Sequence, residues 1–275
     1  MAELRCYANW GALDALPADA DWLVAVRDAG YDGVQLVEPL EVELVGRARA
    51  LGLGVCGSGR VNTSADAMRL AIEAKEHGLE CVTLHVGWGI ESDAEAHALI
   101  DGVLEASARS GVPLYVETHR ATIFQDMWRT VEFVKRSPEL RFNGDFSHWY
   151  TGSEMVYGSF ETKLEFIRPV LERVRFLHGR IGNPGSMQVD VGDGKAGVLP
   201  FVDHFRMLWT EVFAAYLRAD DQPFFCFAPE LLSSTHYYAR VLGGKEETDR
   251  WAQSLVLRRV AQECFAAAEG RVNEG

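Results

Sequence analysis

The strongest constraint on the fold of this chain is a regular alternation between short β-rich runs and longer stretches with helical periodicity. Between the runs, apolar residues recur three and four positions apart, as at Leu99, Ile100 and Val103, which is typical of helices that pack one face against a sheet. The β-rich runs cover residues 4–8, 33–37, 54–57, 81–86, 114–117, 140–145, 174–178 and 224–227. Strands that alternate with helices form parallel βαβ units. Eight such units predict a closed (β/α)8 barrel, known as a TIM barrel.

The length of the chain and the glycines that end its predicted helices favour one barrel domain spanning residues 1–275. A barrel of this kind needs about 250 residues, and no Pro-rich or low-complexity segment divides the 275 residues. Several predicted helices end in a glycine just before the next strand, a common way to terminate a helix; these are Gly30, Gly52, Gly78 and Gly111.

The alternative to a barrel is an open doubly wound sheet that binds a nucleotide. Such a sheet usually has a GxGxxG turn after its first strand, but residues 8–12 read Ala-Asn-Trp-Gly-Ala. The nearest glycine-rich stretch, residues 57–60, is interpreted as a tight βα loop. The glycine pattern therefore favours the barrel.

The composition of the chain limits which binding partners and which cellular compartment we expect. With 40 acidic and 27 basic residues, the chain has a formal net charge of -13, which repels the phosphates of nucleic acids. It has neither a signal-peptide pattern at its start nor an apolar run near the ~20 residues that cross a bilayer. We expect a soluble, cytoplasmic protein with no nucleic-acid or membrane partner. The five cysteines lack CxxC spacing and are predicted to be buried free thiols.

Four chemically active side chains close successive runs at their C-terminal ends. They are Glu117, Asp145, His178 and Glu230. All strand C-termini of a barrel point to the face that carries the active site, so we expect these residues to converge. Three carboxylates in contact repel one another, and one divalent cation removes that repulsion. Two Glu, one Asp and one His suit Mn²⁺, Mg²⁺, Co²⁺ or Zn²⁺.

The same residues carry a resemblance to a known family. Glu117, Asp145 with His148 three positions later, His178 and Glu230 resemble the pattern of the xylose isomerase-like barrel superfamily. This superfamily contains sugar isomerases, ketose 3-epimerases, inosose dehydratases and endonuclease IV. Residues 191–197 also resemble a glycine-rich loop common there.

The resemblance is strongest to the tagatose 3-epimerase-like branch, where the residues matching the four above bind the metal. Those matching Glu117 and Glu230 also shuttle the proton. The resemblance therefore implies a metal-dependent isomerase or epimerase that acts on a small sugar or hydroxy-carbonyl compound. Proton transfer would pass through an enediolate.

Further residues near the predicted strand ends are candidates for binding a small polyol or sugar. They are His85, His119, His148, Arg180, Trp10 and Trp88. The usual family arginine lies further along the loop after His178, where this chain has Asn183, Pro184 and Gly185. Gln188 or Lys195 is a candidate to replace it.

Three alternatives remain open at this point. A lyase such as an inosose dehydratase begins with the same proton removal. An endonuclease IV-like hydrolase needs additional histidine ligands, which His85, His119 and His148 offer, but the charge of -13 counts against it. A barrel without activity is the third alternative. The sequence leaves open the substrate, its phosphorylation and the metal, and aromatic residues in the last two helical units suggest a homodimer face.

Overall fold

A computed structural model describes residues 3–274 and contains eight parallel strands that close into one barrel in sequential order, with the last strand paired to the first. The predicted (β/α)8 fold is confirmed. The strands are β1 (Glu3–Asn9), β2 (Gly33–Val37), β3 (Gly54–Val61), β4 (Val82–Val86), β5 (Leu114–Glu117), β6 (Phe142–Asn143), β7 (Val174–His178) and β8 (Phe224–Ala228). A short hairpin, β9 (Val241–Leu242) and β10 (Lys245–Glu246), follows β8 and was not predicted.

Helices surround the barrel. They are α1 (Trp10–Leu13), α2 (Trp22–Asp28), α3 (Val42–Ala50), α4 (Ser64–Glu76), α5 (Asp93–Ser110), α6 (Met127–Arg136), α7 (Phe146–Gly152), α8 (Phe160–Phe166), α9 (Arg168–Leu171), α10 (Pro200–Ala219) and α11 (Arg250–Glu274). The predicted termination of helices at glycine is confirmed, since Gly30, Gly52, Gly78 and Gly111 all have positive φ. Helix α5 illustrates both ends: a capping box of Ser92 and Glu95 begins it, and Gly111 at φ 75° ends it.

Two strands differ from the prediction by more than one residue at an end. Strand β3 continues to Val61, so Gly57 and Gly59 lie within a strand and the predicted tight loop is wrong. A Cβ on Gly59 would lie 2.8 Å from the Leu70 side chain of α4, so this glycine allows the helix to pack closely on the strand. Strand β6 is shorter than predicted because its pairing with β7 shifts register between Phe142 and Asn143.

The last two long helices pack their aromatic residues inward. Trp209 of α10 meets Phe227 of β8 edge to face at 5.3 Å, and Phe213 meets Phe265 of α11 at 5.3 Å. Phe205, Trp209 and Phe213 are fully buried, so these three aromatics belong to the core, and the homodimer stays a prediction. Within residues 3–274, no helix has both the length and the apolar character needed to cross a membrane.

The cysteines are buried free thiols, as predicted. Cys264 lies on α11 in the outer core, between the helices and the barrel wall. Cys56, Cys81 and Cys226 lie inside the barrel with Tyr7. The barrel interior therefore contains a separate, sulfur-rich layer.

An ion pair between β7 and the loop before β8 gives a testable contribution to stability. Arg175 is buried, and its Nε and Nη2 both donate to the Asp221 carboxylate at 2.7 Å. Removing one partner of such a pair leaves a buried charge unpaired, so Asp221→Asn is expected to destabilise the fold by about 2–4 kcal/mol at neutral pH. Urea denaturation measures this loss, with exposed Asp220→Asn as the matched control.

The same pair predicts a pH dependence. Burial raises the pKa of Asp221, but the hydrogen bonds and charge of Arg175 outweigh burial and lower it below its usual value. A carboxyl with a lowered folded-state pKa stabilises the fold above its unfolded pKa of about 4, and this stabilisation disappears as the pH falls through the folded value. The stability difference between wild type and Asp221→Asn should therefore shrink in acid. A constant difference from neutral pH to about pH 3 would contradict the assignment.

Candidate metal centre

Four side chains from the second half of the barrel meet at the C-terminal ends of its strands. Glu117 ends β5, His178 ends β7 and Glu230 follows β8 by two residues, while Asp145 forms the N-cap of α7 rather than the end of β6. All four are buried, and their ligand atoms lie within 4.8 Å of one another. The predicted convergence of these residues, called the quartet below, is present.

His178 lies between the two glutamates. Its Nδ1 is 3.3 Å from Glu117 Oε2 and 3.4 Å from Glu230 Oε2. On the other side, Arg180 Nη2 donates to Asp145 Oδ2 at 2.7 Å and also to Glu230 Oε2. Two carboxylates thus flank the imidazole, and the guanidinium balances part of the negative charge.

Buried amides fix the orientation of His178. Its Nε2 lies 3.0 Å from Gln35 Oε1, which can only accept, so this nitrogen carries the proton and Nδ1 presents a lone pair. Gln35 is held in turn by the Asn9 amide at 2.8 Å and by Thr83 at 2.9 Å. Asn143 Nδ2 donates to Glu117 Oε2 at 2.9 Å. Such supporting contacts are typical of histidines that bind metals.

The quartet opens onto a cavity of about 180 Å³. This volume is below the 300–1,000 Å³ of drug-sized ligand sites, which favours a small molecule. Glu230 is the quartet member that lines the cavity. The first half of the barrel supplies Trp10, Arg60 and His85 to its wall, and the second half adds His119, Arg180 and Tyr238.

Three imidazoles lie next to one another beside the quartet, with their rings tilted. The His119 ring lies 4.3 Å from His85 and 3.9 Å from His148. Burial lowers the pKa of His119 to about 2, with His148 and His85 adding to the effect, and burial also lowers the pKa of His148. Both rings are therefore neutral near physiological pH. His85 Nε2 lies 3.2 Å from Glu117 Oε1.

The two most buried carboxyls are ionised. Burial raises the pKa of Glu117, but the neighbouring His85 and His178 outweigh burial and hold this pKa well below its usual value. For Asp145, Arg180 is the main influence that outweighs burial, and its pKa is also lowered. The centre is thus a set of carboxylates with neighbouring nitrogen groups, as a metal site requires.

Comparison with known proteins concerns the fold. The chain matches no protein-family model, and no curated protein matches its sequence significantly. Among solved structures, an L-ribulose 3-epimerase superposes over 99% of this chain and 97% of its own, with a TM-score of 0.62 and 16% identity. The chain shares the fold of a sugar epimerase.

A second enzyme has the same fold. The probable 3-DHS dehydratase AsbF from Bacillus anthracis superposes over 94% of this chain and 97% of its own, with a TM-score of 0.57 and 14% identity. A protein from Sinorhizobium meliloti superposes over 96% of this chain and 99% of its own, with a TM-score of 0.58 and 15% identity. At these identities, the likeness establishes the (β/α)8 architecture and leaves the chemistry to the side chains.

The structure changes the predicted roles of two residues. Trp88 is 54% exposed and stacks on the Arg60 guanidinium, with Cζ 3.8 Å from the ring centre, so it supports a cavity residue instead of lining the cavity. His148 lies behind His119 with its Nε2 3.4 Å from Asp145 Oδ2. His148 therefore contacts the quartet and does not line the cavity. The cavity is lined by other candidates from the sequence, namely His85, His119, Arg180 and Trp10.

The candidates for replacing the missing loop arginine do not reach the cavity. Lys195 is exposed and pairs with Asp193 at 2.6 Å. Gln188 is buried, but both ends of its amide bind the backbone of Leu232 at 2.9 Å. It fastens the loop after β7 to the loop after β8, and Arg180 supplies the guanidinium at the cavity.

Sequence reasoning missed several residues of the site. Gln35 is the single polar residue of its apolar run, and that isolated polarity was the available signal; Asn143 shares its run with Arg141 and Asp145 and has no such signal. Arg60 was missed because the glycines before it ended the predicted β3 early. Tyr238, whose hydroxyl lies 3.4 Å from His119 Nε2, has no recognisable sequence signal.

Proposed function

We propose that the chain is a divalent-metal-dependent isomerase or epimerase of a small sugar or hydroxy-carbonyl compound. The observation that carries the proposal is the buried quartet beside a small cavity, with Glu117 and Glu230 both close to His178 Nδ1. The fold shared with an L-ribulose 3-epimerase is consistent with this activity.

The donor set fits a divalent cation. Three carboxylates and one imidazole whose ligand atoms lie within 4.8 Å match the preferences of Mn²⁺, Mg²⁺, Co²⁺ or Zn²⁺. Glu117 Oε1 is buried 3.2 Å from His85 Nε2, without the alignment of a hydrogen bond, which leaves a lone pair for a cation. When bound, the cation supplies Lewis-acid polarisation of a substrate carbonyl and its adjacent hydroxyl.

The two glutamates are assigned the proton transfers. Glu230 faces the cavity, so its carboxylate removes the proton from the carbon between carbonyl and hydroxyl. Glu117 is the second carboxylate close to His178 Nδ1, and it is assigned the return of a proton to the opposite face of that carbon. Two carboxylates on opposite sides of one carbon are the arrangement that epimerisation requires.

Arg180 is assigned to substrate binding. It is only 1% exposed and lines the cavity, yet its Nε and Nη1 have no hydrogen-bond partner within residues 3–274. Buried donors without partners are costly. Carbonyl or hydroxyl oxygens of a bound substrate would satisfy them and fix its orientation.

A dehydratase is the second candidate, and Tyr238 is the observation that favours it. Its phenol lies 3.4 Å from His119 Nε2 and its ring 4.6 Å from the Arg180 Cζ. A phenol at the cavity can give a proton to a departing hydroxide after Glu230 has removed the proton next to the carbonyl. The two reactions share their first step and differ in the fate of the enediolate.

The support of His178 by Gln35 yields a prediction about metal affinity. Gln35→Met keeps the bulk of the side chain but removes the acceptor that fixes the His178 tautomer, so Mn²⁺ binding should weaken about 10–100-fold. Isothermal titration of the purified protein measures the change. Gln125→Met, on an exposed glutamine, should leave the affinity unaltered; equal affinities for all three proteins would contradict this role of Gln35.

Solvent deuterium exchange tests the proposed activity before the substrate is known. The Mn²⁺-loaded protein is incubated in deuterium oxide with ketoses, inososes and hydroxypyruvate, and each compound is followed by NMR. Deuterium at the carbon next to the carbonyl with inverted configuration or a shifted carbonyl supports the isomerase or epimerase. Loss of a hydroxyl supports the dehydratase, and neither exchange nor product across the series would overturn the proposal.

A further inference from the structure

The barrel interior contains a second cluster of possible metal ligands, at the end of the barrel where the strands begin. Cys56 lies on β3, Cys81 directly precedes β4 and Cys226 lies on β8, and each is at most 2% exposed. Their three sulfur atoms lie within 4.8 Å of one another. Cys81 Sγ lies 3.4 Å from Cys56 Sγ. This set is called the thiol cluster below.

The spacing of the sulfur atoms suits one shared ion. A metal–sulfur bond of about 2.3 Å separates the sulfurs of a tetrahedral site by ~3.8 Å. The Cys81–Cys56 separation of 3.4 Å and the 4.8 Å limit on the other two separations are close to that distance, so small side-chain rotations bring all three sulfurs onto one centre. Thiolates select soft cations such as Cu⁺, Zn²⁺ and Cd²⁺ over Mg²⁺ or Mn²⁺.

Buried side chains around the thiol cluster exclude water. One chain of polar contacts leads from this layer to the protein surface. Tyr115 and Phe176 belong to the same buried layer. Tyr7, also in this layer, donates its hydroxyl to Glu80 Oε2 at 2.6 Å, and Glu80 accepts from Arg5 Nη1 at 3.0 Å. Both members of this ion pair are partly exposed, so it separates the cluster from solvent at this end of the barrel.

The thiols are unequal in acidity. Burial raises the pKa of Cys56 and of Cys81. For Cys226, burial also acts upward, but hydrogen bonds from the other two thiols outweigh it and lower the pKa below its usual value. One thiolate with two neighbouring thiols is a partly deprotonated ligand set, and a cation displaces the remaining protons.

We infer that Cys56, Cys81 and Cys226 form a binding site for a soft, thiophilic cation, separate from the quartet. Apolar packing accounts for the burial of single cysteines. It does not account for three sulfurs from separate strands meeting at one point beside a tyrosine hydroxyl. The site uses none of the quartet residues and stands independently of the proposed function.

Cadmium is the probe for this inference, because cadmium–thiolate bonds give a charge-transfer absorption that oxygen and nitrogen ligands do not. The full chain is reduced with a phosphine, incubated with Cd²⁺ to equilibrium and measured in the ultraviolet. We expect the absorption to saturate at one Cd²⁺ per chain and Zn²⁺ to displace it. Absence of the absorption in the wild-type protein would overturn the inference.

Variants locate the site. Cys226→Ala and Cys81→Ala should each reduce the absorption at saturation, or the affinity, at least about tenfold. Cys264→Ala, a buried cysteine outside the cluster, should leave it unaltered, and so should Asp145→Asn in the quartet. Circular dichroism verifies the fold of each variant. Equal absorption in both cluster variants and the wild type would also refute the assignment.

Discussion

Glu230→Gln is expected to lower deuterium exchange into the substrate about 10³-fold at saturating Mn²⁺. Glu230 is the quartet carboxylate that lines the cavity, and an amide cannot accept the substrate proton. Gln has nearly the same shape and can still accept the hydrogen bond from Arg180, so the fold should be preserved. The exchange rate measured by NMR, with metal occupancy determined on the same sample, reports the loss.

The matched control for this variant is Glu43→Gln, on an exposed position of α3. It removes one negative charge far from the cavity and should exchange at the wild-type rate. Near-normal exchange by fully metal-loaded Glu230→Gln would refute the assignment of Glu230 as the base. Slow exchange that recovers when more Mn²⁺ is added would instead reveal a ligand without a proton-transfer role.

Removal of hard divalent cations by a chelator is expected to reduce turnover by ~10³-fold or more, because Lewis-acid polarisation contributes several kcal/mol to such reactions. Without a cation, Glu117, Asp145 and Glu230 keep their positions, but the positive charge that makes the substrate proton acidic is missing. Adding Mn²⁺ should restore the rate. Undiminished turnover by metal-free protein would exclude a metal-dependent mechanism.

The stoichiometry of Mn²⁺ distinguishes the proposed enzyme from a multinuclear hydrolase. His85, Glu117 and His119 also place ligand atoms within 4.8 Å of one another, so a second ion would share Glu117 with the quartet. We expect a single Mn²⁺ per chain, abolished by Asp145→Asn. Two or more would favour the hydrolase. Mn²⁺ is the appropriate ion here because the thiol cluster prefers softer cations.

The barrel and the convergence of the quartet were predictable because both follow from local sequence patterns. Apolar runs with polar ends mark the strands, and the geometry of a barrel brings all strand ends together. Asp145 meets the other three residues although β6 ends before it, because a residue just beyond a strand lies at the same end of the barrel as one that closes a strand.

The remaining parts of the site depend on contacts between distant segments. Gln35 orients His178 across the barrel interior, which no local pattern encodes. Arg60 was hidden because Gly57 and Gly59 lack the apolar signal of a strand, although the space they leave is needed by Leu70. Arg180 reaches Asp145 and Glu230 through the path of the loop after β7, and loop paths are poorly defined by sequence.

The division of the cavity between the two halves of the barrel has a consequence for protein engineering. The quartet comes from the β5–β8 half, whereas Trp10, Arg60 and His85 of the opposite wall come from the β1–β4 half. Under the proposed function, a mutant library confined to Trp10, Arg60 and their neighbours would therefore vary substrate choice while the quartet and Gln35 stay constant. Selection from such a library would separate the evolution of specificity from that of catalysis.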